Sequence, residues 1–387
     1  MRNRWVILAI LFAVRFTMAF QFESVAAVAP LLTRDFGVGL AEIGFLIGLY
    51  FTPGVVLALP GGAIGKWFGD KRVTLASLVL MAAGCIAMAL GKSWDWQIGG
   101  RLVAGVGGVL LNVQLTKMIT DWFAGREIAT AMAIFVNSWP VGIALSLLML
   151  PAIGAAHGVA ASYLTVTVLI AIGIVLAATY RAPAELAAAA AVSTGRLDLR
   201  TLGSTTIAGL IWGLFNVGFA MIFSFGPSML VERGWSIAQA GSATSILLWV
   251  SVISVPAGGW LADRFKRPQT MLVLGCILSA IVMLALAQGS PVITSMIVLG
   301  LVAGLPVGAI MSLPARVLTP PTRAIGMGVF YTLYYVAMML GTTAGGGSAK
   351  WMGTAAAAFD FGAIAMAACP LLLWLFNQIT GTRQRAA

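Results

Sequence analysis

Charge is scarce in this chain. Only 9% of its 387 residues are Asp, Glu, Lys or Arg, and just 12 are acidic. A water-soluble domain carries about 25% charge, which excludes a soluble enzyme or soluble binding module. Histidine is scarcer still: His157 is the single copy and falls in a predicted outer loop, so no histidine relay is expected within the apolar runs. The three cysteines, Cys85, Cys276 and Cys369, each sit inside an apolar run. None has metal-ligand spacing, and disulfides are not expected. The stretch Gly62-Ala-Ile-Gly-Lys66 is no phosphate loop, because its glycines are too close and Trp67 stands where Ser or Thr is needed. No cofactor, metal or ATP site is therefore expected. A cleavable leader is not expected either, since the first apolar run is too long and no small-residue cleavage site follows it.

What the chain has in excess is apolar sequence. Hydrophobic residues make up 60% of it, and mean hydropathy is +1.00. Twelve runs are long enough to cross a bilayer, which takes about 20 residues: 5–32, 41–64, 72–91, 98–120, 127–152, 159–180, 203–228, 236–260, 270–288, 292–314, 325–347 and 354–377. The pattern predicts an all-α membrane protein of twelve transmembrane helices. The net charge of +11 then reflects loop cations, not a nucleic-acid surface. Arg34, Lys92, Arg233 and Lys350 fall in one set of breaks and nearly all the other lysines and arginines in the opposite set. That bias predicts a multi-pass protein of the bacterial inner membrane with both termini in the cytoplasm. The longest break, 181–202, reads as a cytoplasmic linker between six-helix bundles at 1–180 and 203–387.

The two groups of six resemble each other at a nearly fixed offset. Leu102-Val-Ala-Gly105 recurs as Leu301-Val-Ala-Gly304, Arg126 corresponds to Arg323, and Gly62-Ala-Ile-Gly-Lys-Trp-Phe corresponds to Gly259-Trp-Leu-Ala-Asp-Arg-Phe. Parallel repeats of this kind place a substrate site at the repeat interface.

Gly259-Trp-Leu-Ala-Asp263-Arg264-Phe-Lys266-Arg267 resembles the cytoplasmic-loop signature of the major facilitator superfamily, and Arg101-Leu-Val-Ala-Gly105-Val-Gly107-Gly108 its helix 4 motif. With twelve spans the resemblance covers essentially the whole chain. It implies the major facilitator fold, a cavity lined by helices 1, 4, 7 and 10, and a gating role for Gly259, Asp263, Arg264 and Arg267. The first-half loop departs from the pattern, with Lys66 in place of the aspartate; Asp70 stands nearby as a substitute. Helix 1, with its arginine, is similar to the cyanate/nitroimidazole-transporter-like branch.

A charge near mid-bilayer costs several kcal/mol and survives only facing protein or a wet cavity. Arg15 and Glu23 are such charges, about 80° apart around helix 1 and about 12 Å apart along it. Arg15 has two readings: a structural arginine satisfied by helix-end carbonyls or Glu23, or a forked anchor for an anionic substrate. Glu23 is either a partner for Arg101 or a carrier of the coupling proton. Arg101, Gly105, Gly108 and Asn112 form one stripe on helix 4, presented to a single neighbour or cavity, while Gly300 replaces the arginine in the second repeat. Asn216 and Trp212 on helix 7, with Tyr331, Tyr334 and Tyr335 on helix 11, are candidate substrate contacts or plain packing. Asp360 on helix 12 reads as structural. Asn137 and Pro140 fall where the family often carries a glycine-proline motif, and Pro53, Pro60, Pro306 and Pro314 are candidate bends.

The expected function is a secondary active transporter working by alternating access. Two arginines against one glutamate favour a small anion or weak acid, such as an inorganic oxyanion, a cyanate-like ion or a small carboxylate, with protons as a candidate co-substrate. The alternative is proton-coupled efflux of lipophilic drugs. An intramembrane enzyme lacks its catalytic cluster, and a channel or receptor on the same fold is a further class. The expected partners are the substrate, protons and the lipid bilayer, with the chain a monomer.

Overall fold

The computed structural model describes residues 4–58, 60–123, 128–180, 197–265, 267–318 and 322–384. In it are twelve helices long and apolar enough to span a membrane: α1 (Arg4–Ala27), α2 (Leu40–Leu57), α3 (Asp70–Leu90), α4 (Trp94–Ile119), α5 (Ile134–His157), α6 (Val159–Ala178), α7 (Leu199–Glu232), α8 (Ile237–Ala262), α9 (Pro268–Ala287), α10 (Val292–Ser312), α11 (Ile325–Met352) and α12 (Ala356–Gly381). Helix is what the bilayer demands of such runs, because every backbone N–H and C=O must be paired within the segment. Among the described residues, short turns join α3 to α4, α5 to α6, α7 to α8, α9 to α10 and α11 to α12. Gly158 and Gly353 carry φ of 85° and 73° at the α5–α6 and α11–α12 corners, where a side chain would be strained.

Several bounds differ from the sequence reading, and proline is the usual cause. The run 5–32 is one helix only as far as Ala27, and a separate helix, Ala29–Phe36, follows with Pro30 in its first turn. The second span breaks at Tyr50 and Phe51, ahead of Pro53. The fifth divides into Ile128–Val136 and Ser138–His157, the second piece carrying Pro140 in its first turn. α7 starts at Leu199, inside the expected linker; residues 181–196 lie outside the described ones, as do Arg126 and Lys66's side chain.

The halves meet along two seams of close backbone approach. In the first, α2 packs on α11: a methyl at Gly48 would lie 2.6 Å from the Met339 carbonyl oxygen, and one at Gly346 the same distance from that of Leu40. In the second, Gly241 of α8 presses on the Leu147 carbonyl and Pro151 of α5. Small residues let helices associate where lipid gives no hydrophobic drive. Both seams lie toward the ends of the helices remote from the chain termini, and there Lys350 Nζ is 3.6 Å from Glu42 Oε1 across the halves.

Burial along the two central helices follows the seams. All of residues 17–29, in and just beyond α1, and 220–230 of α7 are buried, whereas Arg15 and Phe16, or Trp212, Asn216 and Phe219, one or two turns nearer the termini, are partly exposed. Both central helices are fully covered on the remote side, and their partial exposure begins in the middle and on the terminal side, which points to a cavity opening there.

Candidate functional site

Pro140 has no amide proton, so the carbonyl of Val136 has no partner four residues on in its own helix. Arg15 supplies one. Its Nη1 donates to Val136 O at 3.0 Å, to Phe135 O at 3.2 Å and to Ser138 Oγ at 3.2 Å, while Nε donates to Asn112 Oδ1 at 3.3 Å. The guanidinium lies 4.8 Å from the Phe135 ring centroid and 5.7 Å from that of Trp139, a favourable placement for a cation. Nη2 makes no hydrogen bond among the described residues.

Asn112 carries the contact into the second half, since its Nδ2 donates to the Tyr335 hydroxyl at 3.3 Å. Around this chain the rings are close-set. Tyr334 is 6.3 Å from Trp212 with planes 30° apart, 6.2 Å from Phe51, and at right angles to Tyr331 at 6.5 Å. Trp139 stacks on Phe22 at 5.4 Å. Arg15, Asn112, Trp139, Trp212, Tyr331 and Tyr334 are each partly exposed although they sit mid-bundle. Asn216, also partly exposed, turns its Nδ2 back to Trp212 O at 2.7 Å.

Arg101 is not part of this cluster. Only 1% exposed, it donates to the carbonyls of Leu46 at 3.1 Å, Gln21 at 3.3 Å and Phe22 at 2.7 Å, and lies 4.6 Å from the Tyr50 ring centroid. Leu46 is in the last turn before α2 breaks, so the second intramembrane arginine also braces a broken helix. The stripe on α4 runs as its spacing indicates, with Gly105 and Gly108 against Tyr50, but its two ends serve different neighbours. Gln21, not singled out in the sequence, completes the network: its Nε2 donates to Met81 O at 2.8 Å and Cys85 Sγ at 3.2 Å, and its Oε1 accepts from the Tyr50 hydroxyl at 3.3 Å. A glutamine inside an apolar run was the available signal, by the same cost that drew attention to Arg15.

Glu23 is fully buried and neither carboxylate oxygen has a hydrogen-bond partner. The pairing with Arg101 offered as one expectation is not made; backbone carbonyls take the guanidinium. Arg15 and Glu23 are also separated in environment, one facing the cavity and the other inside the sealed region.

At the membrane edges, Lys117 Nζ meets Asp70 Oδ2 at 2.5 Å, which ties the start of α3 to α4. Gly259 is open to its surroundings, and Arg264 and Arg267 are exposed. The side chain of Asp263, and Lys266, lie outside the described residues. Asp360 is partly exposed on α12, and His157 ends α5.

The family model of the Major Facilitator Superfamily matches residues 11–241 and 210–386. The chain belongs to that superfamily. Among its relatives, this major facilitator is 24% identical over 374 residues to the 4-hydroxybenzoate transporter PcaK of Pseudomonas aeruginosa, covering 84% of this chain and 81% of that one. It is 24% identical over 317 residues to a Mycobacterium tuberculosis protein named as the probable nitrate/nitrite transporter NarK2, covering 77% and 78%. In fold it resembles the D-xylose–proton symporter at a TM-score of 0.80 and 13% identity, over 97% and 98% of the two chains. The inward-open xylose transporter XylE of E. coli matches at the same TM-score and 12% identity, over 97% and 96%.

Proposed function

We propose that this protein is a secondary transporter that moves a small anion or weak acid across the membrane by alternating access. The observation that carries the reading is Arg15, a partly exposed cation in the middle of α1, next to a stretch that is fully buried toward the remote side; on this reading it stands on the wall of a cavity open to one side. Its free Nη2 edge is a charge-assisted donor for an anion in a place where water competes little. Relatives named for transport of 4-hydroxybenzoate and of nitrate/nitrite support the anionic class.

On this reading, bundles 1–180 and 203–387 rock about the site, with both termini cytoplasmic and the cavity facing the cytoplasm. Opening the α2–α11 and α5–α8 seams exposes the other end. Asn112 and Tyr335 join the halves at the level of the substrate, and Trp212, Asn216 and Tyr331 line the approach. Gly259, Arg264 and Arg267 belong to the cytoplasmic gate. Glu23, sealed here and uncovered when the outer seams part, is the proton carrier. Arg101 positions α1 and α2 and does not touch substrate.

Counterflow in liposomes tests this: purified protein loaded with unlabelled anion accumulates the labelled one. No exchange of any anion, with lipophilic cations moved instead, overturns the reading in favour of drug efflux.

A further inference from the structure

Which anion the site takes follows from how little charge it offers and how much ring. Arg101 is fully committed to carbonyls, so one guanidinium faces the cavity, and Nε and Nη1 of that one are already engaged. What remains for a ligand is the Nη2 edge. A small inorganic oxyanion keeps charge on every oxygen and needs donors all round once its water is removed. The partly exposed rings here are instead Trp139, 5.7 Å from the Arg15 guanidinium, and Tyr334, which lies at 30° to Trp212 and at 90° to Tyr331. Rings at mixed angles present both π faces and positive edges, which suits a flat aromatic guest better than a saturated one.

Resting on the anion-transport reading above, we infer that the site is built for a planar aromatic monocarboxylate, its carboxylate on the Nη2 edge of Arg15 and its ring against Tyr334 and Trp212. The carboxylate then needs only one cation, and the apolar body replaces the water that the rings shed. Tyr334 touches rings from both halves, Phe51 from the first and Trp212 from the second, so a guest beside it contacts both bundles.

Binding of benzoate, cyclohexanecarboxylate and nitrate to the purified full-length protein, followed by tryptophan fluorescence alongside liposome counterflow, tests the inference. Benzoate is expected to bind about tenfold tighter than cyclohexanecarboxylate, the ratio given by roughly two aromatic contacts, and nitrate more weakly still. Tyr334→Leu is expected to cut that preference from about tenfold to about threefold, one of the two contacts being lost, and Tyr334→Phe to keep it. Nitrate or cyclohexanecarboxylate binding as tightly as benzoate, with anion counterflow intact, overturns the aromatic assignment and leaves the transporter standing. Absence of counterflow by all three overturns both.

Discussion

Arg15 Nη1 lies 3.0 Å from the carbonyl oxygen of Val136, the acceptor that Pro140 leaves unclaimed. A cation in the membrane is thereby tied to a break in another helix. Pro140→Ala restores an amide proton for Val136 and relieves Arg15 of that duty. In the wild-type background Arg15→Ala is expected to destabilise the protein by about 1.5–3 kcal/mol, the range for hydrogen bonds to a charged group. In the Pro140→Ala background the loss is expected to be smaller, which thermal unfolding in detergent measures. Equal losses in the two backgrounds contradict the brace.

Arg101 reaches three carbonyls and no cavity. Arg101→Gln is expected to lower stability by about 3 kcal/mol or more, since a buried charge-assisted network is broken. The fraction that folds is expected to bind substrate with unchanged affinity. A folded variant with affinity lost tenfold places Arg101 at the substrate after all.

The glycine seam between α2 and α11 sets the sealed state. Gly346→Val puts three carbons against the Leu40 carbonyl and is expected to hold the remote side open. A Ser24→Cys reporter in the buried part of α1 is then expected to react with an impermeant maleimide several times faster from that side than in the Gly346 background. Unchanged labelling removes the seam from the gate.

Glu23 has no hydrogen-bond partner in the sealed state. Glu23→Gln is expected to abolish the acceleration of uptake by an inward proton gradient while leaving anion counterflow intact. Retained acceleration assigns coupling to another group.

The spans and the fold they build were legible because the bilayer fixes length and hydropathy residue by residue. The direction each polar side chain takes was not. In a helix apolar on every face the hydrophobic period does not say which side meets protein, and the stripe from Arg101 to Asn112 shows the consequence: one face, but Arg101 ends among carbonyls of α1 and α2 while Asn112 reaches Tyr335. Arg15 and Glu23 share a broad face on a helical wheel and still differ in burial, because contacts between helices distant in sequence, such as Gly346 with Leu40 and Gly241 with Leu147, decide where the covered region stops. Gln21 and Tyr50 stayed hidden because their partners are backbone atoms and side chains of helices that only folding brings near.

The most direct measurement is counterflow of a labelled anion into liposomes by wild-type protein and by Arg15→Ala, each normalised to the amount of folded protein reconstituted. Exchange by the wild type and its loss in folded Arg15→Ala is the expected result. Exchange by the variant at the wild-type rate contradicts the role of Arg15 as the anchor on which the site is built.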